Sequence, residues 1–355
     1  MTAPGQPVDP IAAFWAWFRT KEGVFADVVR KHGDIQAEVF NPINRQMASY
    51  REGIFLLIGM QGEEVDLIFT AEGDVRNFVF VEQLVDAAPQ IPGWIFQALK
   101  PAAPIEKFGV SMNGYAIDAT NLFFYAEEDP NLPDLIDIRV VYTHLKPENR
   151  EDCIPGVFIF LENYLGELRF ATDVDEVEVI GPDEAKEDLI PISKLSDYLI
   201  WRQKEFVEKH EGHRRDMEDD SYSIMEATLP DGVRIMAVLN TDLLNWDAKV
   251  SHPWMLVVTI KYDGSKFNGM PSEDTLETLN HVMDVFEERL VAEDGYLSIV
   301  RQTGNNERLL YIACKDFRKP SLVATDIIGE YAGVLDMSYR IFSDKYWLGV
   351  ERFRP

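Results

Sequence analysis

Residues 254–260 read WMLVVTI, an apolar run broken only by one threonine, and the reading of the chain's second half hangs on it. A strand with two apolar faces belongs inside a sheet that is covered on both sides. After it comes SEDTLETLNHVMDVFEERL, residues 272–290, with Leu276, Leu279, Val282, Met283, Phe286 and Leu290 at helical spacing. Ser272 is suited to cap that helix, and Glu273 and Asp274 sit at the positive end of its dipole. Residues 296–302 (YLSIVRQ) and 308–314 (RLLYIAC) flank Gly304, Asn305 and Asn306 and predict a hairpin. Ser321 to Tyr331 predicts a second helix, and Leu335 to Ile341 alternates like a half-buried strand. The order strand, helix, strand, strand, helix, strand predicts a split βαβ, or ferredoxin-like, domain. Its first and third strands would be central and its second and fourth would be edges, which suits Ser298, Arg301, Asp336 and Arg340.

Upstream, Tyr222 to Thr228 and Val233 to Leu239 flank Pro230, Asp231 and Gly232 and predict an added N-terminal hairpin. Helices cover one face of such a sheet, so the second face of residues 254–260 needs another cover. The hairpin, the first domain or a second subunit is expected to supply it. The polar stretch His210 to Asp220 divides the chain into an α+β domain at 1–210 and the ferredoxin-like domain at 211–355.

The first domain opens with an amphipathic helix capped by Asp9 and Pro10 and carrying Ile11, Phe14, Trp15, Phe18, Phe25, Val28 and Val29. A second helix follows over Gln36 to Tyr50, across Pro42. A hairpin is expected at Ile54–Met60 and Val65–Thr70, a helix near Val81–Ala87 and a strand at Trp94–Leu99. Further strands are expected at Val110–Ile117, Leu122–Ala126, Ile136–Thr143 and Val174–Ile180. Gly156–Leu165 reads as a helix with strand as the alternative, and Ser193–Glu211 as a connector helix. From Val65 onward these elements can be laid out as a diverged copy of the second domain.

Thirty-four Lys and Arg against 61 Asp and Glu give 355 residues a formal charge of -27. Such a field repels a phosphate backbone, and no basic run offsets it, so direct nucleic-acid binding is not expected. A solvated surface explains the acidity, as does attraction of a basic partner. Cys153 and Cys314 lie far apart beside apolar residues, which predicts inert thiols in a reducing compartment. Met1 to Pro10 lacks the basic and apolar parts of a secretory signal, and no run approaches the roughly 20 apolar residues of a membrane span. A soluble, cytoplasmic protein is expected.

Chemical motifs are scarce. There is no glycine-rich phosphate loop, no His-Glu-x-x-His and no Gly-x-Ser-x-Gly elbow. His210, Glu211 and His213 are close in a polar stretch that reads as solvated, with a weak metal site as the sharper reading. Asp216, Glu218, Asp219 and Asp220 do not have EF-hand spacing, and Glu127, Glu128, Asp129 and Asp134 fall in a proline-containing surface loop. His252 and His281 are the histidines expected to be partly enclosed, with a base as the alternative role. Trp246 and Trp347 lie in irregular stretches and would mark an interface if exposed. No catalytic, cofactor-binding or metal residue is assigned.

Gly269, Met270 and Pro271 before an acidic amphipathic helix, then Tyr296 to Thr303, Gly304 and Glu307 to Tyr311, resemble the bacterial domain-of-unknown-function family 695. That family is similar to the ribonuclease E inhibitor regulator B in its α+β layout. The resemblance covers roughly residues 222–355; it implies a bacterial protein and supplies no catalytic residues to carry over. Phe14 to Phe18, Thr70 to Gly73 and Ala98 to Pro101 resemble a separate uncharacterised bacterial domain. The expectation is a non-enzymatic protein-binding or regulatory module that contacts a protein partner or itself. An enzyme with a site between the domains and a structural homo-oligomer are the alternatives.

Overall fold

Asp9 accepts the N–H of Ile11 at 3.0 Å and Pro10 follows, so the chain enters α1 (Pro10–Arg19) with a free donor satisfied. In this computed structural model, which describes residues 9–354, Phe14, Trp15 and Phe18 of α1 are buried with Phe25, Val28 and Val29 of α2 (Glu22–Arg30). The remainder of the Met1 to Pro10 stretch read for a signal lies outside the described residues. The helix expected over Gln36–Tyr50 is a π-helical turn at Gln36–Phe40 running into α3 (Asn41–Met47). The Asn41 N–H reaches back to Gln36 and Pro42 has no N–H to offer, so the turn widens.

β1 (Phe55–Gln61) and β2 (Glu64–Thr70) form the expected hairpin. Asp74 caps α4 (Val75–Asp86), which therefore starts well before Val81 and brings β3 (Trp94–Ala98) back parallel to β2, in the order β1-β2-β3. The expected strand Val110–Ile117 is two, β4 (Val110–Met112) and β5 (Tyr115–Ile117). Asn113 and Gly114 take φ of 49° and 87° and turn the chain back on itself. β6 (Leu122–Glu127) and β7 (Asp137–Tyr142) are followed by α5 (Arg150–Leu165), which is helical through Gly156–Leu165, then α6 (Glu167–Thr172), β8 (Glu176–Ile180) and β9 (Ile190–Pro191). These strands make a sheet of order β8-β7-β6-β9.

The diverged-copy expectation is corrected here. A split βαβ needs a strand between its two parallel partners, whereas β2 pairs directly with β3 and β7 directly with β8, in separate sheets. One unit comprises the chain up to Glu127 with Asp137–Tyr198, and the other comprises Glu128–Ile136 with Leu199–Pro355. This differs from the expected division at 210 and 211: it falls inside α7 (Leu195–His210), and the acidic loop goes with the second unit.

In the second unit β10 (Tyr222–Thr228), β11 (Arg234–Asn240), α8 (Thr241–Leu244), β12 (Trp254–Lys261), α9 (Glu273–Arg289), β13 (Tyr296–Gly304), β14 (Glu307–Cys314), α10 (Arg318–Glu330) and β15 (Asp336–Ser343) follow in sequence. The strands form one antiparallel six-stranded sheet, order β10-β11-β13-β14-β12-β15. β12 lies inside it, as its two apolar faces require. β13 is not an edge: the added hairpin pairs with it through β11, so the rims are β10 and β15.

On one face Leu256, Val258 and Ile260 of β12, Leu310 and Ile312 of β14 and Leu279, Val282 and Phe286 of α9 are buried, while Leu276 stays 39% exposed one turn nearer the helix start. Ser272 caps α9 by accepting the Thr275 N–H. The opposite face extends a further expectation. Its cover, expected from the hairpin, the first domain or a second subunit, includes the segment after β15, where Trp347, Val350 and Phe353 pack with Leu243 and Leu244 against Met255, Val257 and Tyr311. Trp347 is fully buried, takes a left-handed φ of 58° and donates its indole N–H to the His252 carbonyl at 3.0 Å. Trp246 packs 6.0 Å from it, so neither tryptophan is the exposed interface marker considered above. Among the described residues no helix is long and apolar enough to cross a membrane.

Candidate functional site

Strand register builds the site. Ile224, Val238, Arg301, Leu310 and Val258 are successive partners across β10, β11, β13, β14 and β12, and so lie in one row on the face that carries α9. Along the row burial rises from Ile224, 68% exposed, through half-buried Val238 and Arg301 to buried Leu310 and Val258. The helices therefore roof the inner strands and leave a shelf over β10 and β11, two strands wide. At about 4.8 Å per strand the shelf is roughly as wide as one helix. Tyr222, at the start of β10 on the same face, is 56% exposed.

Where the shelf meets α9 there is a cavity of about 220 Å³ lined by Tyr222, Val238, Met283, Glu287, Ser298, Ile299, Val300, Arg301 and Leu310. β13 bulges between Ser298 and Val300, and that one-residue shift puts both Ser298 and Arg301 on the cavity side. Arg301 Nη1 donates to Met283 Sδ at 3.0 Å, a weak acceptor for a guanidinium. Across the cavity, burial pushes the Glu287 carboxyl above the usual glutamate range; the Ser298 hydroxyl and Arg301 oppose this and Asp284 adds to it. Burial likewise raises the Tyr222 phenol. Behind Arg301, Arg308 is 2% exposed and donates to Thr303 Oγ1 at 3.0 Å and Asn280 Oδ1 at 2.9 Å. Burial and the Arg301 charge lower its pKa to about 10.

The residues singled out from sequence are placed elsewhere. Asp134 belongs to a network and not to a loose surface loop. It accepts the Tyr346 hydroxyl at 3.0 Å, with Lys209 Nζ at 3.6 Å and His210 Nε2 at 3.4 Å, while Lys345 donates to its carbonyl at 3.0 Å. Burial would raise the Asp134 pKa, but Tyr346, His210 and Lys209 outweigh it and hold it below the usual aspartate range. Glu127 pairs with Arg139, and Asp129 accepts the Asn131 N–H within its own turn. Asp220 pairs with Arg215 and accepts from Asn240, and Asp216 caps its own turn at Glu218. Among the described residues no group of His, Cys, Asp and Glu is arranged to hold a metal ion.

His252 is 1% exposed, its pKa lowered to about 4 by burial and by Lys315, Arg214 and His213. Ser251 Oγ lies 2.9 Å from its Nδ1, but the hydroxyl donates to the Ala248 carbonyl at 2.6 Å. The serine proton is thus turned away from the ring, the reverse of what a nucleophile and base need. His281 is exposed on α9 with its ring 6.4 Å from Tyr331. Cys153 and Cys314 are buried free thiols whose pKa values burial raises.

Sequence reasoning missed the cavity because its walls come from five elements, β10, β11, α9, β13 and β14. One signal was present: Ser298 and Arg301 are polar residues on a strand whose partners Leu310 and Ile312 face a helix. No protein-family model matches this chain, and no curated protein or solved structure is significantly similar to it.

Proposed function

We propose that this chain is a protein-binding module whose recognition surface is the β10 rim and the shelf beside α9, and that an extended segment of a protein partner lies along β10 as a further strand. The observation that carries the reading is the exposure of Tyr222 and Ile224 on a seven-residue strand whose outer backbone edge pairs with nothing among the described residues. Such an edge supplies main-chain hydrogen bonds, and side chains on alternate positions supply specificity. A charge of -27 opposes a second copy as the partner and favours a basic segment. In the same reading residues 254–343 are a ferredoxin-like domain extended by a hairpin, supported by the strand order β15-β12-β14-β13. The free buried thiols suit a reducing compartment such as the cytoplasm.

The test is a photoreactive residue placed at Ile224 in cells, compared with the equally exposed Val334 and with Leu57 on the β1 rim. A discrete protein adduct from position 224 alone is expected. Adducts from Leu57 and none from Ile224 would move recognition to the first unit and overturn the proposal.

A further inference from the structure

The cavity under α9 holds two opposite charges that do not meet. Arg301 and Glu287 both line it; among the described residues Arg301 has only the Met283 sulfur as a hydrogen-bond partner and neither joins an ion pair. The half-buried Arg301 guanidinium gains when it finds a counter-charge, because water screens it less there than at the surface, and the Glu287 carboxyl stands at the exposed lip of the same cavity. One molecule with a carboxylate and an ammonium group satisfies both at once. It is also neutral overall, so the protein's charge of -27 does not repel it. Among the other walls, Val238, Met283 and Leu310 are apolar. At about 220 Å³ the space is below the roughly 300–1,000 Å³ of pockets for drug-sized ligands, which limits the occupant to a small molecule.

We propose that this cavity binds a free apolar α-amino acid, its carboxylate on Arg301, its ammonium on Glu287 and its side chain against Val238, Met283 and Leu310. Tyr222 at the mouth joins this site to the β10 shelf, so occupancy can bear on partner binding. The site itself stands without the partner.

The experiment uses the full chain with methyl-labelled methionine, reading the Met283 methyl resonance, assigned by a Met283→Leu variant, during titration with leucine, isoleucine, valine, methionine and phenylalanine. A saturable shift with at least one of them is expected, weakened about tenfold or more by either N-acetylation or methyl esterification of that amino acid. At about 1.4 kcal/mol per tenfold, that is the loss of one charge-assisted contact. Arg301→Gln and Glu287→Gln are each expected to weaken binding to the same degree while the other methionine signals stay in place. Arg301→Lys, which keeps the charge, should recover part of the loss. No saturable shift with any of the five at about 10 mM, far above a useful affinity, overturns the assignment. So does a shift indifferent to capping or to both Gln variants. None of these outcomes alters what the photoreactive residue at 224 reports.

Discussion

Glu167 in the first unit and Glu287 in the second are both carboxylates with protein donors or cations nearby, yet Glu167 is buried and Glu287 exposed, and their surroundings differ in kind. Glu167 is 1% exposed and its oxygens accept from the Thr70 hydroxyl at 2.6 Å and from the N–H groups of Ala71, Gly73 and Lys100 at 2.9–3.0 Å. Every donor is a fixed part of the chain, so the carboxylate ties the ends of β2 and β3 to the start of α6. Glu287 faces a cavity with a cation that does not pair with it. A filled set of partners marks a structural tie, and an unfilled one marks room for something else.

The largest effect that can break this contrast lies at Glu167. Glu167→Ala strips the acceptor from four donors, and about 3 kcal/mol or more of unfolding free energy should be lost in urea denaturation. A loss under about 1 kcal/mol would mean that the donors find water instead.

Asp134→Asn comes next, about 1–2 kcal/mol at neutral pH, since it removes the charge facing Lys209 and His210 but keeps a group beside Tyr346. The folded pKa of Asp134 is depressed. Its contribution is therefore present above the unfolded value of about 3.9 and fades as pH falls through the lower folded one. Wild type and variant should converge in stability below that range, and a gap that persists there would sink the assignment.

Glu287→Gln should shift stability by less than about 0.5 kcal/mol. Its sign is informative: a raised folded pKa means that the native state holds its proton longer, so stability falls as pH rises from the unfolded value of about 4.3 through the folded one. The variant should be as stable as wild type or slightly more so at about pH 7, the opposite of Asp134→Asn. Smallest of all, Ile224→Glu should leave stability unchanged to within about 0.5 kcal/mol while abolishing capture of a partner along β10.

What could be read in advance follows from how far apart the cooperating residues are. The β10–β11 hairpin and α9 were legible because Pro230 to Gly232 and Ser272 are local signals next to clear periodicity. Asn113 and Gly114 were equally local but short of flanking strand, so two three-residue strands passed for one. The sheets of the first unit were not legible, because nothing in β2 or β7 says whether its parallel partner lies beside it or one strand away. Asp134 depends on Tyr346, 212 positions later, and the cavity depends on a bulge at Ser298 that reverses which face Arg301 takes.

Trp347 has one more consequence, and it concerns time. The second side of the central strands is only partly covered, by Leu243 and Leu244, until residues 347–353 are in place, so a ribosome that has already released β12, β13 and β14 is still holding the rest of the lid. Synthesis thus leaves an interval in which Met255, Val257 and Tyr311 lack the Trp347 part of their cover, and in that interval a chaperone or a neighbouring nascent chain could reach them.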